Sequence, residues 1–491
     1  MTHAPHSVTE LTPRSVWQHF AALSAVPRPS KREERVRAHV RSVCEGLGLA
    51  VAEDDAGNLV ASVPASAGRE SAPTIVLQAH LDMVCEKNAG TEHDFDQDPI
   101  RLILDQDADG QAIVRADGTT LGADNGIGVA LMLAAASESI SRGPLELLFT
   151  VDEEEGMGGA IGLDPALIHG KTLLNLDTEE DDMLYIGCAG GCDSTLRWQL
   201  PTAPVTGGVT CSITLRGLRG GHSGGDIHEG RGSATQLLAR VLGRVGNGVR
   251  LVSIDGGSKR NALAREAHAV IVVDESTAAV LTKIAAEIVE EGRVESREPD
   301  LTLTVDRATD ATTAATVDGS LSLIDCLLAL PHGVAGMHPD IPTLVETSNN
   351  LATIASTSDG DGMAVTVGCL SRSSSESRLD EILARIAAIA RLAGATVENG
   401  NRYPGWEPNV DSPVLAVAKR VHEQLFDVVP AAEAVHAGLE CGLLGRKLPG
   451  TDMVSLGPRI EGAHSPDERV WVASVERSWT YLVGLLDTLS T

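Results

Sequence analysis

Several short stretches of this 491-residue chain carry the side chains that hydrolytic chemistry uses. "VDEEEGMGG" sets four consecutive acids, Asp152 to Glu155, directly after the apolar run "LELLFTV". Adjacent carboxylates repel, and a carboxylate withdrawn from water must be paired, protonated or bound to a cation. The run is therefore a solvated loop, or it lies opposite arginines, or it faces a metal ion. "HLD" places His80 and Asp82 two apart on a strand, side chains on one face. His80 can then bind a metal while Asp82 accepts its other ring N–H and sets the tautomer. "GADNGIG" puts Asp124 among glycines at a helix start, where simple N-capping is the competing role. "LNLDTEE" adds Asp177 and "GAHSPDE" adds His464, each of which alone reads as a surface or capping residue. Together they supply the mixed nitrogen and oxygen set that suits two zinc-like ions.

Such a set serves hydrolysis. A water activated between two divalent cations roughly 3.5–4 Å apart attacks a polarised carbonyl. A carboxylate that is not a ligand must take its proton and hand it to the leaving amine. Glu153 and Glu154 can divide these tasks, because neighbours at a strand end need not point the same way.

The elements that must hold these residues are four apolar runs, each ending in polar residues: "TIVLQAHLD", "LELLFTVDEEEG", "TLLNLDTEE" and "TDMVSLGPRIEGAH". Runs that are apolar throughout and separated by helices predict strands buried on both faces of a parallel-rich sheet. Sites in such sheets lie at the carboxyl ends of the strands, which is where His80, Asp82, Glu153, Glu154 and Asp177 fall. Two helices open the chain, one with Thr12 as N-cap and Pro13 at its first position, the next with Ser30 and Glu33 at capping-box spacing. From about Cys192 to about Gly394 the texture changes to alternating strands and amphipathic helices, an inserted α+β domain. The expected fold is α/β, a parallel-rich mixed sheet flanked by helices. Its expected divisions are residues 1–190, 191–397 and 398–491.

Composition narrows the function classes. The length suggests two domains or three, and 43% hydrophobic residues are ample for their cores. A net charge of -29 without a basic patch argues against nucleic acid or an anionic membrane as partner. The amino-terminal "MTHAPHSVTELTPRSVWQHF" has no basic start followed by an apolar segment, and no run approaches a membrane span, so a cytoplasmic setting is expected. The eight cysteines form no CxxC pair and are expected to be reduced and mostly buried.

The ordered set "VPRPSKREE", "LQAHLDMVCEK", "DGTTLGADNGIGVA", "TVDEEEGMGGA", "LNLDTEE", "GGHSGGDIHEGR", "KRNALARE", "HAGLECGLL" and "LGPRIEGAHSPDE" resembles the M20 metallopeptidases. The branch it resembles is that of the aminoacyl-histidine (beta-alanyl-histidine, cytosol nonspecific) dipeptidases. The resemblance implies a di-zinc exopeptidase fold whose inserted domain is a lid and dimerisation domain. It implies that His80 and Asp177 hold one ion, Glu154 and His464 the other, and that Asp124 bridges them across a cis peptide to Asn125. Glu153 would be the general base and later acid, and Asp82 would orient His80. His222 of "GGHSGG" would stabilise the oxyanion, within the chain or across a dimer, while Asn261 and Arg372 would hold the substrate backbone and its terminal carboxylate. The implied cofactors are two divalent ions, zinc first, with cobalt or manganese as alternatives. The implied partners are a small peptide substrate and a second copy of the chain.

In the family that the chain resembles, the position of Glu155 often carries a small or apolar residue, which implies that Glu155 lies outside the metal shell. A register slipped by one would make Glu154 the base and Glu155 the ligand. His436 and Glu440 also resemble the family, with a role either in the pocket or in support of the metal ligands. The expected function is dipeptide hydrolysis, and the alternatives are an aminoacylase, a carboxypeptidase or a tripeptidase with the same chemistry. A non-catalytic metal-binding homologue is the reading from another class.

Overall fold

The apolar runs form the middle of an eight-stranded sheet. Its order is Ala50–Glu53, Leu59–Val63, Leu145–Thr150, Ile75–His80, Thr172–Asn175, Asp452–Ser455, Met183–Cys188 and Ala431–Val435. The strands Leu145–Thr150, Ile75–His80, Thr172–Asn175 and Asp452–Ser455 are mutually parallel, in register as Ile75 with Leu145, Ile75 with Thr172, and Asp452 with Thr172. Every residue of Ile75–His80 and of Leu145–Thr150 is buried, the signature of a strand covered on both faces. The helix Ala123–Ser137, almost wholly buried, covers one face. The carboxyl ends of the four strands therefore emerge on one edge.

This computed structural model describes residues 7–359 and 362–491; the first six residues of the amino-terminal stretch read above lie outside them. The chain divides into two units. The first runs to Gly187 and resumes over Pro408–Ala434 and Leu439–Thr491, and the second comprises Cys188–Glu407 and Val435–Gly438.

The second unit is built on a nine-stranded sheet. Its order is Thr302–Arg307, Val209–Arg216, Ala267–Val273, Arg250–Gly256, Val345–Asp359, Gly362–Ser373, Gly190–Leu200 and Thr396–Tyr403, with Gly333–Met337 added on Val345–Asp359. All its pairings are antiparallel. Gly190–Leu200 alternates buried and accessible residues along its second half, as expected of a sheet with one face on a core. Leu196, Ile213, Leu238, Ile271 and Val367 form part of that core. The cysteines are free, and all but Cys85 are buried.

Two capping expectations are corrected. The first helix is Arg14–Ser24 with Pro13, not Thr12, at the N-cap; no side chain caps it, and the Thr12 carbonyl instead accepts from Trp17 Nε1 at 3.2 Å. The second is Glu34–Gly46 with Glu33 itself at the N-cap position and no capping side chain. Ser30 Oγ donates to Asp82 Oδ2 at 2.7 Å, and Glu33 Oε1 accepts from the backbone N–H of Lys31 and of Asp152, both at 2.9 Å. Both side chains of the apparent capping box serve loops distant in sequence.

Candidate functional site

The strand ends of the first unit deliver one acidic cluster. His80 closes its strand and is 1% exposed; its Nε2 lies 3.0 Å from Asp124 Oδ1 and 3.4 Å from Asp177 Oδ1. His464 Nε2 lies 3.2 Å from Asp124 Oδ2 and 3.1 Å from Glu154 Oε2. One oxygen of Asp124 thus faces each imidazole. His80, Asp124 and Asp177 form one group with ligand atoms within 4.8 Å of one another, and Asp124, Glu154 and His464 form a second that shares Asp124. A third such group combines His80, Glu153 and Glu154. His464 itself is held at φ 63°, a left-handed conformation that a residue with a β-carbon adopts at a cost.

Asp82 organises the strand ends from beneath. Its Oδ1 accepts from the Glu153 N–H at 3.1 Å and lies 3.3 Å from His80 Nδ1, while its Oδ2 accepts from the Glu154 N–H at 3.2 Å and from Ser30. Burial opposes the charge of Asp82, yet His80, Ser30 and the Glu153 N–H outweigh it and hold the carboxyl at about 2. The four consecutive acids part company here. Asp152 turns the chain at φ 53°, Glu153 and Glu154 point into the cluster, and Glu155 pairs with Lys31 Nζ at 2.9 Å on the surface.

The cluster's electrostatics are those of excess negative charge. Burial pushes Glu153 well above the carboxylate range, reinforced by Asp177, Glu440 and Glu154, and burial likewise raises Glu154. Burial would raise Asp124 too, but hydrogen bonds with His464 and His80 hold it low. His464 is pushed up to about 11 by Asp124 and Glu154. His80 is also raised: its burial works against the charge, and Asp177, Asp124 and Asp82 overcome it. Glu154 Oε1 is buried without a hydrogen-bond partner among the described residues. An acceptor so placed, among converging carboxylates and two imidazoles, fits a cation ligand.

Apart from Glu440, expected in the pocket or in support of the ligands, the supporting groups were not assigned from sequence. Arg28 is buried and donates to the carbonyls of Leu81 and Asp82, both at 3.0 Å, and to that of Gly122, so it ties the His80 strand end to the Asp124 helix start. Gln78, Thr150, Asn175 and Ser455, one from each parallel strand, form a buried hydrogen-bonded row. Glu440 joins it, accepting from Gln78 at 2.6 Å and Thr150 at 2.7 Å; burial pushes its carboxyl up to about 7. The only sequence signal for this row was a polar residue inside each apolar run. Asp124 does not act as an N-cap, since Gly122 occupies that position.

The second unit gathers another set. Arg372, 5% exposed, donates to Tyr403 Oη at 2.7 Å, and its Nη2 lies 3.4 Å from His222 Nε2. His222 Nδ1 accepts from the N–H of Gly224 at 3.3 Å and of Gly225 at 3.0 Å, which leaves the proton of a neutral ring on Nε2. Burial, then Arg372, lowers the His222 imidazole and keeps it neutral. With that tautomer His222 Nε2–H and Arg372 Nη2–H stand side by side as two donors, an arrangement that suits an anion. His436 bonds Ser348 Oγ at 2.7 Å and is pushed down to about 3 by burial and Arg372. Asn261 is exposed, and its carbonyl accepts from the Ser223 N–H at 2.9 Å, beside His222. Tyr403 went unnoticed in the sequence, where nothing local marks a phenol that meets an arginine on another strand.

Known proteins match at the level of the whole chain. The chain is 40% identical over 485 residues to the cytosol non-specific dipeptidase of Escherichia coli (strain K12), covering 98% of each. The structure of aminoacylhistidine dipeptidase from Vibrio alginolyticus superposes with a TM-score of 0.89 at 38% identity, again over 98% of both chains. Aminopeptidase PepT from Bacillus cereus shares the fold, with a TM-score of 0.57 at 18% identity over 98% of this chain and 100% of that one. Among the described residues no helix is long and apolar enough to cross a membrane. With residues 76–488 matching the family from the His80 strand to beyond His464, the chain belongs to peptidase family M20/M25/M40.

Proposed function

We infer that this protein is a metal-dependent dipeptidase, acting on small peptides of the aminoacyl-histidine type and on dipeptides more broadly. The observation that carries the metal chemistry is Asp124, whose two carboxylate oxygens face His80 and His464 within two ligand groups. His80, Asp124 and Asp177 would hold one divalent ion, and Asp124, Glu154 and His464 the other. Zinc suits these donors first, with cobalt and manganese as alternatives. Bound ions supply a water of lowered pKa and a polarised carbonyl.

The chain's own residues do the rest. Glu153 takes a proton from the attacking water on a carboxylate oxygen and delivers it to the leaving amine nitrogen. Its place beside His80 and Glu154, with oxygen and nitrogen atoms within 4.8 Å of one another, supports the role. Asp82 keeps His80 Nδ1 occupied, so that Nε2 faces the ions. Arg372 binds the substrate carboxylate, Asn261 its backbone, and the Nε2–H of His222 the developing oxyanion. The dipeptide assignment rests on the names of the relatives at 40% and 38% identity. A homodimer in the cytoplasm completes the reading; light scattering at micromolar concentration tests the former.

The assay is a panel of dipeptides, tripeptides and N-acyl amino acids, run beside metal analysis of protein purified without added ions. Dipeptides are expected to be cleaved fastest, by protein carrying two divalent ions per chain. Preference for N-acyl amino acids would sink the dipeptidase assignment.

Arg372 gives a sharper test of the substrate side. A charged hydrogen bond lost to a carboxylate costs about 1.5–3 kcal/mol, so Arg372→Ala should raise KM for dipeptides roughly 10- to 100-fold. Dipeptide amides, which lack the carboxylate, should be cleaved equally by both proteins. An equal loss on both substrates would assign Arg372 to folding instead.

A further inference from the structure

The helix Ala123–Ser137 begins irregularly, with Asp124 and Asn125 outside helical backbone angles, and no side chain of its own first turn caps it. Its N-cap position is Gly122, at φ 70°, which has no side chain to accept from the first N–H groups. Such a start leaves up to four backbone donors without partners. Here one carboxylate takes three of them, and the N–H of Leu121 just before them. Glu468, 2% exposed, accepts through Oε2 from Leu121 N at 2.7 Å and Gly122 N at 2.8 Å, and through Oε1 from Ala123 N at 2.7 Å and Asp124 N at 3.2 Å. Charge-assisted bonds of this kind are about twice as strong as neutral ones, and the helix dipole favours an anion at that end.

Glu468 lies four residues beyond His464, on the same loop. That loop joins Ile460–Glu461 to Arg469–Trp471, antiparallel strands paired as Ile460 with Val470 and Glu461 with Arg469. It is tightly wound: Ser465 N–H bonds the Gly462 carbonyl at 3.2 Å, and Glu468 N–H bonds that of Ser465 at 3.1 Å. The loop therefore grips the helix start at two points. Glu468 holds the backbone of residues 121–124, and His464 Nε2 meets Asp124 Oδ2 at 3.2 Å. The group of His80, Asp124 and Asp177 includes nothing from this loop, whereas the group of Asp124, Glu154 and His464 depends on it.

We propose that Glu468 is a positioning residue that acts chiefly on one of the two metal sites: it sets the spacing between His464 and Asp124, so the group of Asp124, Glu154 and His464 depends on it for two of its members and the group of His80, Asp124 and Asp177 only through the shared Asp124. This rests on the two-ion reading given above. Glu468→Gln replaces one acceptor oxygen with an NH2 donor that must face two backbone donors. Glu468→Asp keeps the charge but falls one methylene short. Glu461→Gln is the control, on the same loop strands, because the ion pairs of Glu461 are with Arg459 and Arg469.

Each full-length protein is stripped with chelator and titrated with Co2+ alone, following heat and visible absorption, with thermal melts alongside. The unsubstituted chain and Glu461→Gln are expected to bind two equivalents with the same affinities. In Glu468→Gln one equivalent should weaken at least tenfold more than the other, with Glu468→Asp between Gln and the unsubstituted chain; should the Gln variant fail to fold, the Asp variant alone must show that split. Equal weakening of both equivalents, no weakening, or the same loss in Glu461→Gln overturns the proposal. Fewer than two equivalents in the unsubstituted chain overturns the two-ion reading itself, and this inference with it.

Discussion

Glu153→Ala is expected to fold, to keep two divalent ions and to hydrolyse dipeptides about 10²- to 10⁴-fold more slowly, the contribution usual for a positioned general acid and base. That loss corresponds to roughly 2.7–5.5 kcal/mol of barrier at 1.36 kcal/mol per tenfold. The fold should survive because the contact that orders this strand end runs through the backbone: the Glu153 N–H reaches Asp82 Oδ1, and alanine retains it. Truncation also relieves a buried carboxyl that Asp177, Glu440 and Glu154 already disfavour in its charged form. Metal content makes the test discriminating. Glu153 belongs to a possible ligand group with His80 and Glu154 as well as standing beside the two that share Asp124. A variant that loses one ion along with its activity would mark Glu153 as a ligand; one that keeps both ions and full activity would refute it as the base.

What the sequence made legible was local. Each parallel strand announced itself as an apolar run, and each candidate ligand lay within a few residues of a strand end or helix start, so His80, Asp124, Asp177 and His464 stood out as candidates one motif at a time, while the family resemblance chose Glu154 over Glu153 as the ligand. The groups that hold them in place act across long separations. Glu468 meets residues more than 340 positions earlier, Arg28 links Leu81 and Asp82 to Gly122, and Ser30 reaches Asp82. A serine and a glutamate three apart before a helix look like a capping box from propensity alone. Tertiary contacts claimed both side chains here, because an N-cap hydrogen bond contributes only about 1 kcal/mol and a buried aspartate without its partners costs more. The acidic run shows the same limit. That four charges would not all be buried followed from electrostatics, and the family resemblance set Glu155 outside the metal shell, but its partner there, Lys31, precedes it by more than a hundred residues.

Chelation should lower the melting temperature as well as abolish activity. Asp124, Glu154 and Asp177 have side chains 11%, 5% and 8% exposed, so water screens their mutual repulsion poorly. Like charges about 4 Å apart at an effective dielectric of about 20 repel by roughly 4 kcal/mol, and divalent cations reverse the sign of that interaction. Ions that bind only the folded chain stabilise it by about 2.7 kcal/mol per site when present at 100 times their dissociation constant. At roughly 2–4 °C per kcal/mol for a domain of about 150–250 residues, the expected shift is on the order of 5–10 °C per site. Every candidate ligand lies in the first unit. If calorimetry resolves two transitions, only one should move, and restoring zinc after the chelator is removed should return it. A melt unchanged after metal removal, verified by elemental analysis, would mean that the carboxylates bear their charge without help from cations, and the two-ion reading would fall.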